Sequence, residues 1–314
     1  MNTRGLANVG HGLVGLATLL ACADAAPNAE SPSEPGTASG LARADSPWWC
    51  LDQAPSPLPE PRSEPVGFAL PVLEWSTRQP LAGRGLTATL CPGIGFNCEQ
   101  PLAAPYVVSD GRLGATQLPP GMAGVPIIEG FDGFIRFHVL APPGTPSEQL
   151  FLPTNYFLGG AISGDLTLGP TVMMSQRNTW KAMVQQSLLD ADPLVIEELG
   201  TVLLGAYDCN GAPANEVRIE LSVGGRAATV TAFLLSTSRL PIAQSADQPL
   251  VTGSSGMVGF VGVPPGTAQL FAFRAGDTEP FGSAQLGVVP GQVSMASLRP
   301  AYILDAGVLP VTPE

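Results

Sequence analysis

The chain has 314 residues, of which 45% are hydrophobic and only 13% charged, with 37 glycines and 33 prolines. Because glycine and proline at this density interrupt long helices, the composition predicts strands and turns around more than one core. Acidic residues outnumber basic ones by 26 to 14, which gives a formal net charge of −12. An acidic surface repels phosphate backbones, so the charge argues against nucleic acid as a partner.

The N-terminus has the pattern of an export signal. Arg4 is the only charge before the apolar run at 13–21. That run fits the hydrophobic region of a secretion signal and is well short of the roughly 20 residues that a membrane-spanning helix needs. No later stretch is predicted to span a membrane.

The segment "LLAC" at 19–22 resembles the lipobox of bacterial lipoproteins. The resemblance implies cleavage before Cys22 and acylation of its thiol, so that lipid holds the protein on a membrane. Bacterial lipoproteins without aspartate directly after the cysteine are usually forwarded to the outer membrane, and that position is Ala23 here. The alternative is cleavage after a small-x-small site such as 23–25, which would leave a soluble exported protein.

Residues 22–65 are predicted to form a disordered tether. The stretch is rich in proline, serine, alanine and acid and poor in β-branched residues, so it cannot bury a core. Its exception is the island Trp48-Trp49-Cys50, because two indole rings are costly to leave in water. Docking of the island onto the folded body is one interpretation, and an aromatic ligand platform made by Trp48 and Trp49 is the other.

The second half has the clearest strand pattern. In "NEVRIELSV", Val217, Ile219, Leu221 and Val223 alternate with polar residues, which is typical of a strand with one buried face. The neighbouring apolar segments end at Asn-Gly, Gly or Pro-Gly turns. The pattern predicts about seven strands within roughly 110 residues.

These segments resemble the carboxypeptidase regulatory-like domain, a transthyretin-like (prealbumin-like) β-sandwich, over about residues 199–300. The most specific element is "VPPGT" at 263–267, which in that family marks the turn between two core strands. The family's domain is non-catalytic where it accompanies a peptidase. The first half looks like a diverged copy, in which Leu86, Ala88 and Leu90 share one face of a strand.

The sequence therefore predicts an all-β chain with two Ig-like or prealbumin-like β-sandwich domains after a disordered N-terminal tether. Helix-like spacing occurs only in "NTWKAMVQQSLLDADPL", which predicts a connector between them. The predicted divisions are a signal peptide at 1–21, a lipidated cysteine and tether at 22–65, a first sandwich at 66–174, a helical connector at 175–197, a second sandwich at 198–302 and a C-terminal tail at 303–314.

The cysteine count suits an exported protein. With Cys22 taken by lipid, Cys50, Cys91, Cys98 and Cys209 remain, and four cysteines allow three pairings. Cys91 and Cys98 are the obvious local pair, whereas a bridge from Cys50 to Cys209 follows only by elimination. A four-thiolate zinc site is the competing hypothesis, but it requires close CxxC pairs that this spacing lacks.

No catalytic motif is evident. His11 belongs to the signal, so a Ser-His-Asp triad would have to use His138. The alternation of its strand predicts His138 on the face opposite the buried Ile135 and Phe137, as a solvated histidine. The sequence contains neither a phosphate-cradling loop nor a dinucleotide fingerprint. We therefore predict a chain that is not an enzyme and uses no cofactor and no metal.

Two functional hypotheses follow. The first is an exported bacterial lipoprotein whose sandwiches act in binding, adhesion or assembly at the cell envelope, with an envelope protein or a glycan as partner. The alternative is a motif-less, glycosidase-like hydrolase that uses loop carboxylates such as Glu129 with Asp132, or Asp277 with Glu279. Such a site needs two carboxyl groups about 5 to 9.5 Å apart in a concave surface.

Overall fold

The structure is a computed structural model of the chain. It describes residues 46–51, 65–94, 98–128, 130–158, 166–187, 198–227, 230–245 and 248–300. The predicted signal peptide, Cys22, the tether apart from 46–51 and Pro65, and the tail at 303–314 lie outside the described residues. All of the described residues belong to one compact unit.

The first half of the chain supplies ten of the described strands and the α-helix. The strands are β1 (Pro65–Glu74), β2 (Leu86–Pro92), β3 (Tyr106–Val107), β4 (Arg112–Leu113), β5 (Thr116–Gln117), β6 (Met122–Ile128), β7 (Gly133–Val139), β8 (Thr154–Phe157), β9 (Leu166–Leu168) and β10 (Val172–Met174). A short 3-10 helix (Ser147–Gln149) precedes β8, and α1 (Arg177–Ser187) follows β10.

The second half supplies ten more described strands. They are β11 (Gly200–Ala206), β12 (Arg218–Val223), β13 (Arg226–Ala227), β14 (Thr231–Leu235), β15 (Pro241–Ala243), β16 (Leu250–Val251), β17 (Met257–Val263), β18 (Gly266–Phe273), β19 (Gly282–Val288) and β20 (Val293–Leu298).

One nine-stranded sheet contains strands from both halves, in the order β15-β14-β17-β11-β20-β8-β7-β2-β3. The halves meet at β8, which pairs antiparallel with β7 and parallel with β20, where Met295 lies opposite Tyr156. The predicted sandwiches therefore share a sheet, although the boundaries assigned to them stay a prediction.

Two smaller sheets cover opposite faces of the nine-stranded sheet. On β11, Leu203 belongs to the hydrophobic core that includes β1, β6 and β10, whereas Val202 and Leu204 belong to the core that includes β12, β18 and β19. All seven residues of β11 are buried. The first of these sheets contains β1, β6, β9 and β10, and the second contains β12, β13, β16, β18 and β19. The architecture is three layers of β-sheet, which confirms the all-β prediction.

The connector helix lies within the predicted span and packs on the first of these cores. Trp180 and Val184, one turn apart on α1, are buried. The Trp180 ring lies 6.3 Å from Phe233 of β14 and 5.2 Å from Trp75. The helix thus covers part of the nine-stranded sheet beside the first small sheet. Within the described residues, no helix has the length and apolar character needed to cross a membrane.

The turn between β17 and β18 and the alternation along β12 were both predicted from the sequence. The "VPPG" turn is confirmed, because β17 ends at Val263 and β18 begins at Gly266, which adopts a φ of 144° that a side chain would disfavour. The alternation predicted for β12 is present in part. Val217 and Ile219 are buried, whereas Leu221 is only half-buried near the strand end.

Tyr156 lies at the junction between the halves. Its hydroxyl is 3.3 Å from Ser297 Oγ of β20. Burial raises the pKa of Tyr156 to about 12, and the positive charge of Arg299 opposes part of that rise. In the unfolded chain a tyrosine ionises near pH 10. The buried hydroxyl therefore contributes fully to stability below about pH 10, and the contribution is lost as the pH rises towards 12.

We predict that Tyr156→Phe flattens the alkaline loss of stability. Between pH 10 and 12 the wild type should lose about 2 to 3 kcal/mol of unfolding free energy through this group, because one unit of pKa shift corresponds to about 1.4 kcal/mol. Urea unfolding across that range measures it, and Ser297→Ala, which keeps the buried phenol, should retain the slope. An unchanged slope in Tyr156→Phe would show that water reaches the junction.

Candidate functional site

A groove of about 390 Å³ lies where the two halves meet, beside the edge of β19. We call it the β19 groove. On one side it is bounded by the start of β7, the end of β8 and the loop after β2, and on the other by β18 and β19. Its lining residues are Ile94, Asp132, Gly133, Phe157, Gln269, Phe271, Ser283, Ala284 and Gln285.

The side formed by the first half is set by close backbone packing at the start of β7. Phe157 stacks on Phe134 across the β7–β8 pair, with ring centroids 4.8 Å apart. A Cβ at Gly133 would overlap the carbonyl oxygen of Cys91 on β2, so only glycine lets the two strands approach here. The groove is therefore bounded by a tightly packed part of the scaffold.

A disulfide joins Cys91, near the end of β2, to Cys98, and Ile94 between these cysteines lines the groove. Just after Cys91, the backbone N–H of Gly93 donates a 3.0 Å hydrogen bond to the carbonyl oxygen of Asp132. The bond connects the segment after β2 to the loop before β7. It fixes the backbone from which the Asp132 carboxylate extends.

The side formed by the second half is a two-stranded surface. In the β18–β19 pair, Gln269 lies opposite Gln285 and Phe271 lies opposite Ser283. Since side chains alternate along a strand, these four point away from Leu270, which is buried in the core beneath. The result is a surface with two amides, a hydroxyl and a half-buried aromatic ring.

The groove is lined by four polar side chains that face solvent. Within the part of the chain that the structure describes, the Asp132 carboxylate, the Gln269 and Gln285 amides and the Ser283 hydroxyl form no hydrogen bond or ion pair. All four residues are exposed. These groups can therefore bind a ligand without first breaking a contact inside the protein.

A partly buried polar network, centred on the buried Asn155, lies on the same side of the β7–β8 pair as the Phe134 and Phe157 rings. Arg136 Nε donates to Asn155 Oδ1 at 2.9 Å, and Asn155 Nδ2 donates to Gln292 Oε1 at 2.9 Å. Burial lowers the pKa of the Arg136 guanidinium. The network connects β7, β8 and the turn before β20, so it reinforces the junction beside the groove.

The tryptophan island docks on the second half of the chain. Cys50 is bonded to Cys209, and Trp48 lies 4.8 Å from the ring of Phe281. Trp49 Nε1 donates to Asn210 Oδ1 at 3.1 Å. The position of each indole is thus explained by a protein contact, and the ligand-platform interpretation stays a prediction. Both predicted disulfides are confirmed.

The other residues considered for chemistry are dispersed. His138 is exposed on β7, opposite the buried Ile135 and Phe137, as its alternation predicts. Asp277 is bound by Arg274 through two contacts of 2.9 and 3.3 Å. Glu129 lies outside the described residues. Among those described, no cluster of three or more His, Cys, Asp or Glu side chains could hold a metal ion.

Sequence reasoning weighed Asp132 only as half of a carboxylate pair and missed the groove's other side chains. The signal available was the tripeptide Ala-Gln-Leu, which occurs at 268–270 and again at 284–286. In each copy the glutamine lies on the solvent face of a strand, and the two strands pair so that the glutamines are opposite. A glutamine at the same position of two consecutive apolar strands was therefore the sequence signal for the exposed β18–β19 surface.

Comparison with known proteins identifies no family. No protein-family model matches the sequence, and no curated protein matches it. The resemblance to the carboxypeptidase regulatory-like domain therefore stays a prediction.

Solved structures that match the chain include three pilins. The minor pilin GBS52 of Streptococcus agalactiae is 12% identical, with 79% of this chain and 99% of that chain covered and a TM-score of 0.24. The shaft pilin SpaA of Lactobacillus rhamnosus GG is 10% identical, with 76% and 98% covered and a TM-score of 0.22. A streptococcal ancillary pilin is 14% identical, with 75% and 62% covered and a TM-score of 0.20. At these values the matches carry no argument about function.

Proposed function

We propose that this chain is an exported, lipid-anchored protein whose β-sheet body is a non-catalytic binding module of the cell envelope, with the β19 groove as its binding site. The observation that carries the proposal is the groove itself. It presents polar side chains that have no internal partner among the described residues, on strands from both halves of the chain. Such a concave surface with a few convergent polar groups is typical of a recognition site.

Export is supported by the disulfides. The Cys50–Cys209 bridge spans a sequence separation of 159, and the Cys91–Cys98 bridge spans 7. Disulfides form and persist in oxidising compartments such as the periplasm and the cell surface. Together with the apolar run at 13–21, they favour a place outside the cytoplasm.

Anchoring through lipid on Cys22 rests on the sequence around that residue. Two or more acyl chains, each contributing about 0.8 kcal/mol per buried methylene, would hold the body on a bilayer without a spanning helix. Since Ala23 follows the cysteine, the proposed location is the outer membrane. The proposed partners are then other envelope molecules.

Binding is favoured over hydrolysis by the charges in the groove. Asp132 is the only carboxylate among the described lining residues. A glycosidase needs a second carboxyl group to act with the first. Of the other candidate carboxylates, Asp277 forms an ion pair with Arg274, and neither Asp277 nor Glu279 lines the groove.

We predict that intact protein purified from its native membranes lacks residues 1–21 and carries the mass of added acyl chains. Cys22→Ala should lose that mass and leave the membrane fraction, because the thiol is the proposed attachment point. Mass spectrometry of both proteins measures it. Cleavage near 23–25 without lipid would contradict the anchor and leave a soluble exported protein.

We also predict that the β19 groove contacts a partner in the native envelope. A photoreactive benzophenone residue placed at Gln285 should form a discrete adduct, whereas the same residue at exposed Ser76, in the turn after β1, should not. Gel mobility and mass spectrometry after irradiation give the result. Equal labelling at both positions, or none at Gln285, would contradict the proposed binding site.

A further inference from the structure

We propose that the β19 groove binds an extended segment of a partner protein, which adds to β19 as a further strand and places a basic side chain against Asp132. This inference rests on the proposed function, because it requires the groove to be the binding site. It goes further by naming the chemical class of the partner and the way in which it is held.

One edge of β19 is open to a further strand among the described residues. This strand is the last one in its sheet, in the order β13-β12-β18-β19. The carbonyl oxygen of Gly287 accepts a 2.6 Å hydrogen bond from Ser294 Oγ, so this carbonyl points away from β18. Backbone groups alternate in direction along an antiparallel strand, so Ser283 and Gln285 also point theirs away from β18.

These outward backbone groups are unpaired. Within the described residues, neither Ser283 nor Gln285 has a backbone hydrogen bond on the side away from β18. Each of the two residues supplies an N–H and a C=O with which an extended peptide can pair. Ser294 already covers the edge at Gly287, so the open part of the edge is the part beside the groove.

The chemistry around that edge is a second argument. Asp132 supplies an unpaired carboxylate in a chain whose formal net charge is −12. A basic side chain complements this carboxylate, whereas an acidic one would be repelled. The half-buried Phe271 offers apolar surface in the same groove, whose floor includes the buried Phe157. The matching segment is therefore extended, with a lysine or arginine close to an apolar side chain.

A glycan could also bind to the amides, the carboxylate and the ring, but it would make no use of the paired geometry of the strand edge. The edge is the feature that decides between the two. A strand from a protein uses both the backbone groups of β19 and the side chains on either side of it. The groove therefore fits an extended protein segment better than a glycan.

The experiment is selection of random decapeptides displayed on phage against the full chain carrying Cys22→Ala, followed by measurement of Kd for synthetic copies. The expected peptides alternate apolar and polar residues and share one lysine or arginine. Asp132→Asn should weaken them by about five- to tenfold and reduce the salt dependence of Kd, because one charge pair is lost.

Two substitutions at one position isolate the strand edge. Gln285→Pro removes the outward N–H, and proline is tolerated on an edge strand where the N–H faces away from the sheet, so the fold should persist. Gln285→Ala removes the same side-chain amide but keeps the N–H, so it measures the loss due to the side chain. Gln285→Pro should weaken binding by at least about fivefold beyond Gln285→Ala, because only proline removes the backbone donor. Circular dichroism and thermal unfolding confirm that both variants are folded.

Three results would overturn the inference. Peptides that bind Gln285→Pro as well as wild type would show that the edge is not used. A groove that captures no peptide, yet forms the envelope adduct at Gln285, would point to a glycan or other ligand and leave the proposed function intact. Peptides that bind only after deletion of 301–314 would show that the chain's own C-terminal segment occupies the edge.

Discussion

β11 pairs in parallel with β20 inside a sheet that is buried on both faces, and this pairing determines how the two halves of the chain are joined. Every residue of β11 is buried, and all but one of β20 are buried. Since water cannot reach the amides of such strands, each strand must be paired along both edges. β17 completes β11, and β8 of the first half completes β20. The second half cannot close its own sheet, and that is why the two halves form one body.

The β19 groove is a direct consequence of this junction. The two smaller sheets cover opposite faces of the shared sheet. The sheet that contains β19 ends at that strand, whereas the shared sheet continues past β20 into β8 and β7 of the first half. Among the described strands, β19 pairs with β18 alone, and Asp132 and Phe157 lie in the groove beside its other edge. Each side of the groove comes from a different half of the chain. A change that separated β8 from β20 would therefore abolish the groove without altering any residue that lines it.

The sequence predicted what local patterns determine. Proline and glycine at 264–266 predicted the turn before β18, the helical spacing predicted α1, and the short cysteine spacing predicted the Cys91–Cys98 bridge. The Cys50–Cys209 bridge spans 159 residues and followed only by elimination. It did not predict the pairing of β8 with β20, because contacts between residues so distant in sequence leave no periodic signal. The strand "TNYF" was also obscure, since Asn155 is polar and fully buried. Its burial depends on bonds to Arg136 and Gln292, which only the folded chain brings together.

The same reasoning explains why the groove was harder to predict than the fold. An exposed glutamine on a strand normally indicates only a solvent face, and its meaning here comes from a second glutamine opposite it and an open edge beside it. If β8 and β20 join both halves into one cooperative body, native-state hydrogen exchange should detect a single global unfolding. We predict that amides of β8, β11 and β20 exchange together in the slowest class. Faster exchange of β8 together with β7 and β2, while β11 and β20 stay protected, would show that the halves unfold separately.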